Sequence, residues 1–219
     1  MKKKFLFLLL TAAVIVLSVS ATFEFAGMLK EFAIKSRVQL LFLIGFAAYL
    51  IVHLLFYKPV FIHVMSHELT HAIWAAAFGG RTKKLEVSGR GGRVLISKSN
   101  FLISLAPYFF PLYTFIIALV YLIADNKFLP FLSFLLGASL AFHIALTLYS
   151  MRADQSDFFE DSNVVFSIFF VYLMNIIVVA LIFSMLSGDI SFPRFLKNTF
   201  FGVFIITKTA VVKLNEIIR

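Results

Sequence analysis

Cysteine is absent from the 219 residues, and charge is scarce: 14% of positions carry it, with 20 Lys and Arg against 11 Asp and Glu. Without thiols there is no disulfide, no thiolate nucleophile and no cysteine-held metal. The shortage of charge, beside 61% hydrophobic residues and a mean hydropathy of +0.98, excludes an independent water-soluble core. Polar stretches are too few and too scattered for an appended soluble domain, so any chemistry has to lie within the bilayer or at its edge. The formal charge of +9 comes with no aromatic and basic recognition module. It is therefore read as topology and as attraction to anionic lipid, and nucleic acid is set aside as a partner.

What remains is a series of apolar runs. A bilayer core about 30 Å thick needs about 20 apolar residues of helix, and several runs reach that length. The fold class expected is an all-α multi-span membrane protein with about six transmembrane helices and one membrane-associated β-hairpin. Three segments are expected: residues 1–37, a hydrophobic N-terminal segment and linker; residues 38–187, a membrane-embedded core; and residues 188–219, a basic amphipathic tail lying at the interface. Val19-Ser20-Ala21 fits a signal-peptidase site, but the run is read in preference as an uncleaved first helix, because many apolar segments follow it. A mixed-charge stretch from Glu24 to Arg37 separates it from a second span, Val38 to Tyr57.

Pro59 opens a third helix, Val60 to Phe78, which Gly79-Gly80 ends by a left-handed cap. Between residues 81 and 99 the period turns from helical to alternating, with Leu85, Val87, Val94 and Ile96 on one face, and Ser88-Gly-Arg-Gly-Gly92 between the two runs. This is a β-hairpin with a glycine-rich turn. Phe101 to Ala124 is again apolar but is kinked or broken by Pro107 and Pro111. Leu129 to Ser150 and Val164 to Leu186 are further spans, joined by an acidic connector. The tri-lysine start and the basic hairpin both favour the cytoplasm, which three crossings between them cannot satisfy. One of those three segments is therefore not a simple span.

His67-Glu68-Leu69-Thr70-His71 carries the chemistry. Histidines four apart on a helix share a face, so both imidazoles can reach one zinc ion. Glu68 beside them is placed to deprotonate a water polarised by the metal, the HExxH arrangement of metallopeptidases. From the histidine and glutamate content of the chain, the pattern arises by chance in about three of a thousand such sequences. A carboxyl and two imidazoles inside a span cost about 3 kcal/mol or more, which metal binding offsets. A catalytic zinc takes a third protein ligand and keeps a fourth position open. Asp157 in the connector is the favoured third ligand, with Asp154 and His143 as alternatives. His63, one turn before His67, is read as a residue that contacts a ligand or water, since three histidines along a straight helix cannot reach one ion.

A Ser66-His-Glu-Leu-Thr-His-Ala72 helix inside the membrane, a glycine pair closing it, a basic hairpin and a later aspartate together resemble the site-2 protease family of intramembrane zinc metallopeptidases. The resemblance runs from about Val60 to Asn175. It implies zinc held by His67, His71 and Asp157, with Glu68 as the base. It also implies a hairpin, with Val87 and Val94, that takes up a membrane-protein substrate as an added strand. Asn175, polar within the sixth span, is read from its position as a donor in an interhelical hydrogen bond or to the site or substrate main chain. The usual Leu-Asp-Gly around the family's aspartate is replaced here by Gln155-Ser-Asp-Phe158. The competing expectations are a metal transporter, an inactive protease-like binding protein or a structural assembly factor.

Overall fold

The computed structural model describes residues 2–56, 59–89, 91–151 and 164–218. Its elements are α1 (Lys2–Glu31), α2 (Arg37–Leu55), α3 (Val60–Ala77), β1 (Thr82–Ser88), β2 (Gly91–Ile96), α4 (Phe101–Phe109) and α5 (Leu112–Ile123), then α6 (Leu129–Ser150), α7 (Val164–Leu186) and α8 (Phe192–Ile218). This is the all-α multi-span architecture with a single small antiparallel hairpin. Among the described residues, α1, α2, α6, α7 and α8 are each long and apolar enough to cross a membrane. The pair α4 and α5, bent by 68° at Phe110-Pro111, makes a sixth if taken as one broken span.

The count matches the expectation but its membership differs. Helix α3 is not among the candidate spans, because His63, His67, His71 and Glu68 dilute its apolar residues. The tail forms the 27-residue helix α8, whose stretch Phe192–Lys213 also has the length and composition of a span. Of the charged stretch from Glu24 to Arg37, the part through Glu31 belongs to α1, and residues 32–36 link it to α2. Glutamate, lysine, leucine and alanine are all good helix formers, so charge there does not end the helix.

Two compact units divide the chain. One contains α1, α7 and α8. Here Ser20 donates to the Thr199 carbonyl at 2.7 Å, Ser18 to that of Phe169 at 3.2 Å, and Asn198 to Glu24 at 3.1 Å. Hydroxyls and amides join helices this way where hydrocarbon offers no competing partner. Phe32 stacks on Phe183, ring centres 4.4 Å apart, at one end of the bundle.

The other unit holds α2 to α6 and the hairpin. A capping box starts α2, with Gln39 N–H donating to Ser36 Oγ at 3.3 Å and Ser36 N–H to Gln39 Oε1 at 3.0 Å. Helices α2 and α6 pack closely because each presents a glycine to the main chain of the other. A Cβ on Gly45 would overlap the Phe134 carbonyl oxygen, and one on Gly137 that of Phe42. Around this contact Phe42, Leu136, Leu140 and Ala141 are fully buried. Helix α3 ends as expected, at Gly79 with φ 73° and with Gly80 N–H donating back to the Ala75 carbonyl at 2.7 Å.

The hairpin pairs Leu85 with Val94, Glu86 with Arg93, Val87 with Gly92 and Ser88 with Gly91. Its turn is thus shorter than the glycine-rich stretch suggests, and Gly91 and Gly92 belong to β2. Opposed residues share a face, so Leu85, Val87, Gly92 and Val94 lie on one side, with Glu86 and Arg93 on the other.

Candidate metal centre

Within α3 the rings of His67 and His71 stand 4.9 Å apart and nearly perpendicular, and their Nε2 atoms face each other at 3.2 Å. His71 is buried, and its Nδ1 lies 2.8 Å from the Ile103 carbonyl oxygen. A carbonyl only accepts, so Nδ1 carries a proton, and Nε2 is the ring nitrogen turned toward His67. This is the orientation a metal-ligating histidine takes when an outer partner fixes its tautomer. Two nitrogens 3.2 Å apart are near enough that one zinc ion, with bonds of about 2.0–2.1 Å, would be held by both residues.

Ile103 can receive this proton for a reason written in the sequence. In an α-helix its carbonyl would accept the N–H four residues on, and that residue is Pro107, which has none. The proline inside α4 thereby leaves a carbonyl for the imidazole of α3. Asn100 fixes the start of α4 by accepting from Ile103 N–H at 3.0 Å. Trp74 of α3 packs edge-on against Phe109 and Phe110, at 5.3 and 5.8 Å, holding the end of α4 against α3. Tyr108, fully buried, meets the His67 ring edge-to-face at 5.2 Å.

Glu68 and His71, three residues apart, lie on adjoining positions of the helix surface. The hairpin packs on this part of α3: a Cβ on Gly92 would fall 2.6 Å from Val64 Cγ1 and 2.7 Å from Glu68 Cγ. Only glycine permits that approach. Val87 and Val94 share the Gly92 face and are half-buried. Glu86 and Lys84, on the opposite face, form an exposed ion pair at 2.6 Å.

The remaining expected residues fall in several places. His63 does not join the pair; its Nε2 hydrogen-bonds Ser150 Oγ at 2.7 Å and so ties the start of α3 to the end of α6. His143, buried in α6, borders the same small cavity as His63 and His67. Asn175 lies in α7, in the unit formed with α1 and α8, and donates to the Val171 carbonyl of its own helix at 2.8 Å. Asp154 and Asp157 lie outside the described residues. Among the described residues no third histidine, aspartate or glutamate completes a metal-holding group. Sequence reasoning missed Ile103, Tyr108 and Gly92. Of these Ile103 had a signal, the proline four positions after it.

Compared with protein-family models, with curated proteins and with solved structures, the chain matches none.

Proposed function

We propose that this protein is an intramembrane zinc metallopeptidase of the site-2 protease kind, cleaving peptide bonds in or near transmembrane segments of other membrane proteins in the cell membrane. One observation carries the reading: two imidazole nitrogens facing each other at 3.2 Å, one ring locked by a carbonyl that a proline leaves unpaired. In this reading His67 and His71 hold the ion and Asp157 supplies the third ligand, ahead of Asp154 and His143. The segment bearing Asp157 leaves α6 at Ser150, which is bonded to His63 one turn before His67. Asp157 follows Ser150 by seven positions in the sequence.

Zinc bound there supplies Lewis-acid polarisation of the scissile carbonyl and brings water within reach of deprotonation near neutral pH. Glu68 takes the proton of the attacking water on a carboxylate oxygen and returns it to the leaving amine nitrogen. The hairpin bears on a different difficulty. A helical substrate hides its peptide bonds in its own hydrogen bonds, and a strand edge beside α3 holds an unwound segment extended. The described sheet has two strands, each with one edge unpaired within it. In this reading Val87 and Val94 contact the bound segment.

The test is zinc content and cleavage measured together on detergent-purified protein. Glu68→Gln is expected to keep one zinc per chain and lose cleavage of a transmembrane reporter, while His67→Ala and Asp157→Asn lose the metal. Wild-type protein without zinc after chelator-free purification, or Glu68→Gln with full activity, refutes the proposal.

A further inference from the structure

Helix α5 begins immediately after the break at Phe110-Pro111, and the break has a consequence for its third residue. Four threonines inside helices satisfy their hydroxyls on the carbonyl four residues back: Thr11 on Phe7, Thr22 on Ser18, Thr70 on Ser66 and Thr207 on Val203, at 2.7 to 2.9 Å, whereas buried Thr199 of α8 and Thr114 do not. For Thr114 that residue is Phe110, which is extended, with ψ 94°, and lies outside the helix. Thr114 is wholly buried, and its Oγ1 has no hydrogen-bond partner among the described residues. A buried hydroxyl without a partner costs about 1–3 kcal/mol, so where one persists beside a polar cavity, water is the expected partner.

Such a cavity lies beside it. Thr114 borders a space of about 10 Å³ together with Ser66, His67, Ser139 and His143. That is room for about one water, which needs two to four polar partners. Ser139, which lines the cavity, donates its proton to the Leu136 carbonyl at 3.1 Å and keeps its lone pairs as acceptors, and Thr114 can either donate or accept.

We propose that this cavity is a fixed water-binding subsite, anchored by Thr114 Oγ1, that adjoins His67 and supplies the water consumed in peptide hydrolysis. The supply role rests on the metallopeptidase reading; the water itself does not. Hydrolysis uses one water for each bond cut, and a site enclosed by helices needs a held store of it. Thr114 is on this account a positioning residue, acting through the water it holds.

Synchrotron radiolysis of the full chain in detergent, read by mass spectrometry, tests the subsite directly, because radicals formed from bound water oxidise the side chains beside it. Phe142 and His143, both buried on the cavity wall, are expected to be labelled well above Phe42, which is buried between α2 and α6. Thr114→Val, which keeps the shape and removes the hydroxyl, is expected to cut that labelling about fivefold, while Thr114→Ser keeps it. Wild-type labelling no higher than at Phe42, or labelling that persists in Thr114→Val, overturns the proposal. On a reporter substrate Thr114→Val is expected to lower kcat about tenfold with KM and zinc content unchanged; an unchanged kcat overturns the supply role. Absence of zinc from wild-type protein refutes the metallopeptidase reading alone, since the labelling still decides the water.

Discussion

Replacing Gly137 by alanine tests the packing that holds the unit of α2 to α6 together. The added methyl would overlap the Phe42 carbonyl oxygen and sit 2.9 Å from both the Phe42 carbonyl carbon and the Phe46 nitrogen. All three obstacles are main chain, so no rotamer change relieves them, and α2 has to withdraw from α6 by about 1 Å. A gap of that size forfeits a quarter to a half of each dispersion contact across it. Overpacking costs about 1–3 kcal/mol, and a backbone obstacle places this site at about 3. Alanine returns about 1 kcal/mol through its higher helix propensity, leaving a net loss of about 2 kcal/mol. For a chain of this size that lowers Tm by about 4–8 °C. Thermal or mixed-micelle unfolding in detergent reads the difference, with Gly27→Ala as control, since nothing lies within 4 Å of its added methyl. Gly137→Ala with wild-type stability would falsify the close approach of the two helices.

Three further outcomes are expected. Pro107→Ala restores an N–H four residues after Ile103, and its competition for that carbonyl weakens the hold on His71. Zinc affinity is expected to fall about 10–100-fold, the usual effect of losing a partner behind a ligand, and an unchanged affinity in a metal competition assay counts against the locked tautomer. Gly92→Val pushes the hairpin away from Val64 and Glu68, so reporter cleavage is expected to drop at least about tenfold while zinc stays bound; equal cleavage removes the hairpin from the reaction. Ser20 and Ala21 are buried within an unbroken helix, out of reach of a peptidase that cuts extended chain. Intact mass spectrometry of membrane-purified protein is therefore expected to find residues 1–21 present, and a mass starting after Ala21 contradicts the bundle of α1, α7 and α8.

Much of this architecture was legible in the sequence. Leu129–Ser150 and Val164–Leu186 came out with the expected limits because both are uniformly apolar stretches flanked by polar chain. The hairpin showed in its period of two, and the break between α4 and α5 in its prolines. Misreadings arose where charge was taken as punctuation. Glu24 and Lys30 lie inside α1, which runs on to Glu31. At the candidate site, helical spacing was enough to pair His67 with His71. What holds His71 is a main-chain oxygen, which has no residue signature of its own and is found only by asking which N–H Pro107 removes. Gly92 was read as turn chemistry, although its missing side chain serves the approach of a strand to a helix.

The unit built from α1, α7 and α8 also has a history in time. Ser20 and the Thr199 carbonyl that it bonds are 179 residues apart, so at a synthesis rate of about 5–20 residues per second the first helix waits about 9–36 s for its partner. During that interval the intervening helices and the hairpin can assemble through nearer neighbours, before the Thr199 carbonyl exists for Ser20. The hydroxyls of α1 are equipped for the wait: Thr11, Ser18 and Thr22 each bond a carbonyl of α1 itself. Biogenesis therefore closes last at the oldest segment, and a chain that stops before α7 leaves α1 exposed to membrane quality control however well the rest has folded.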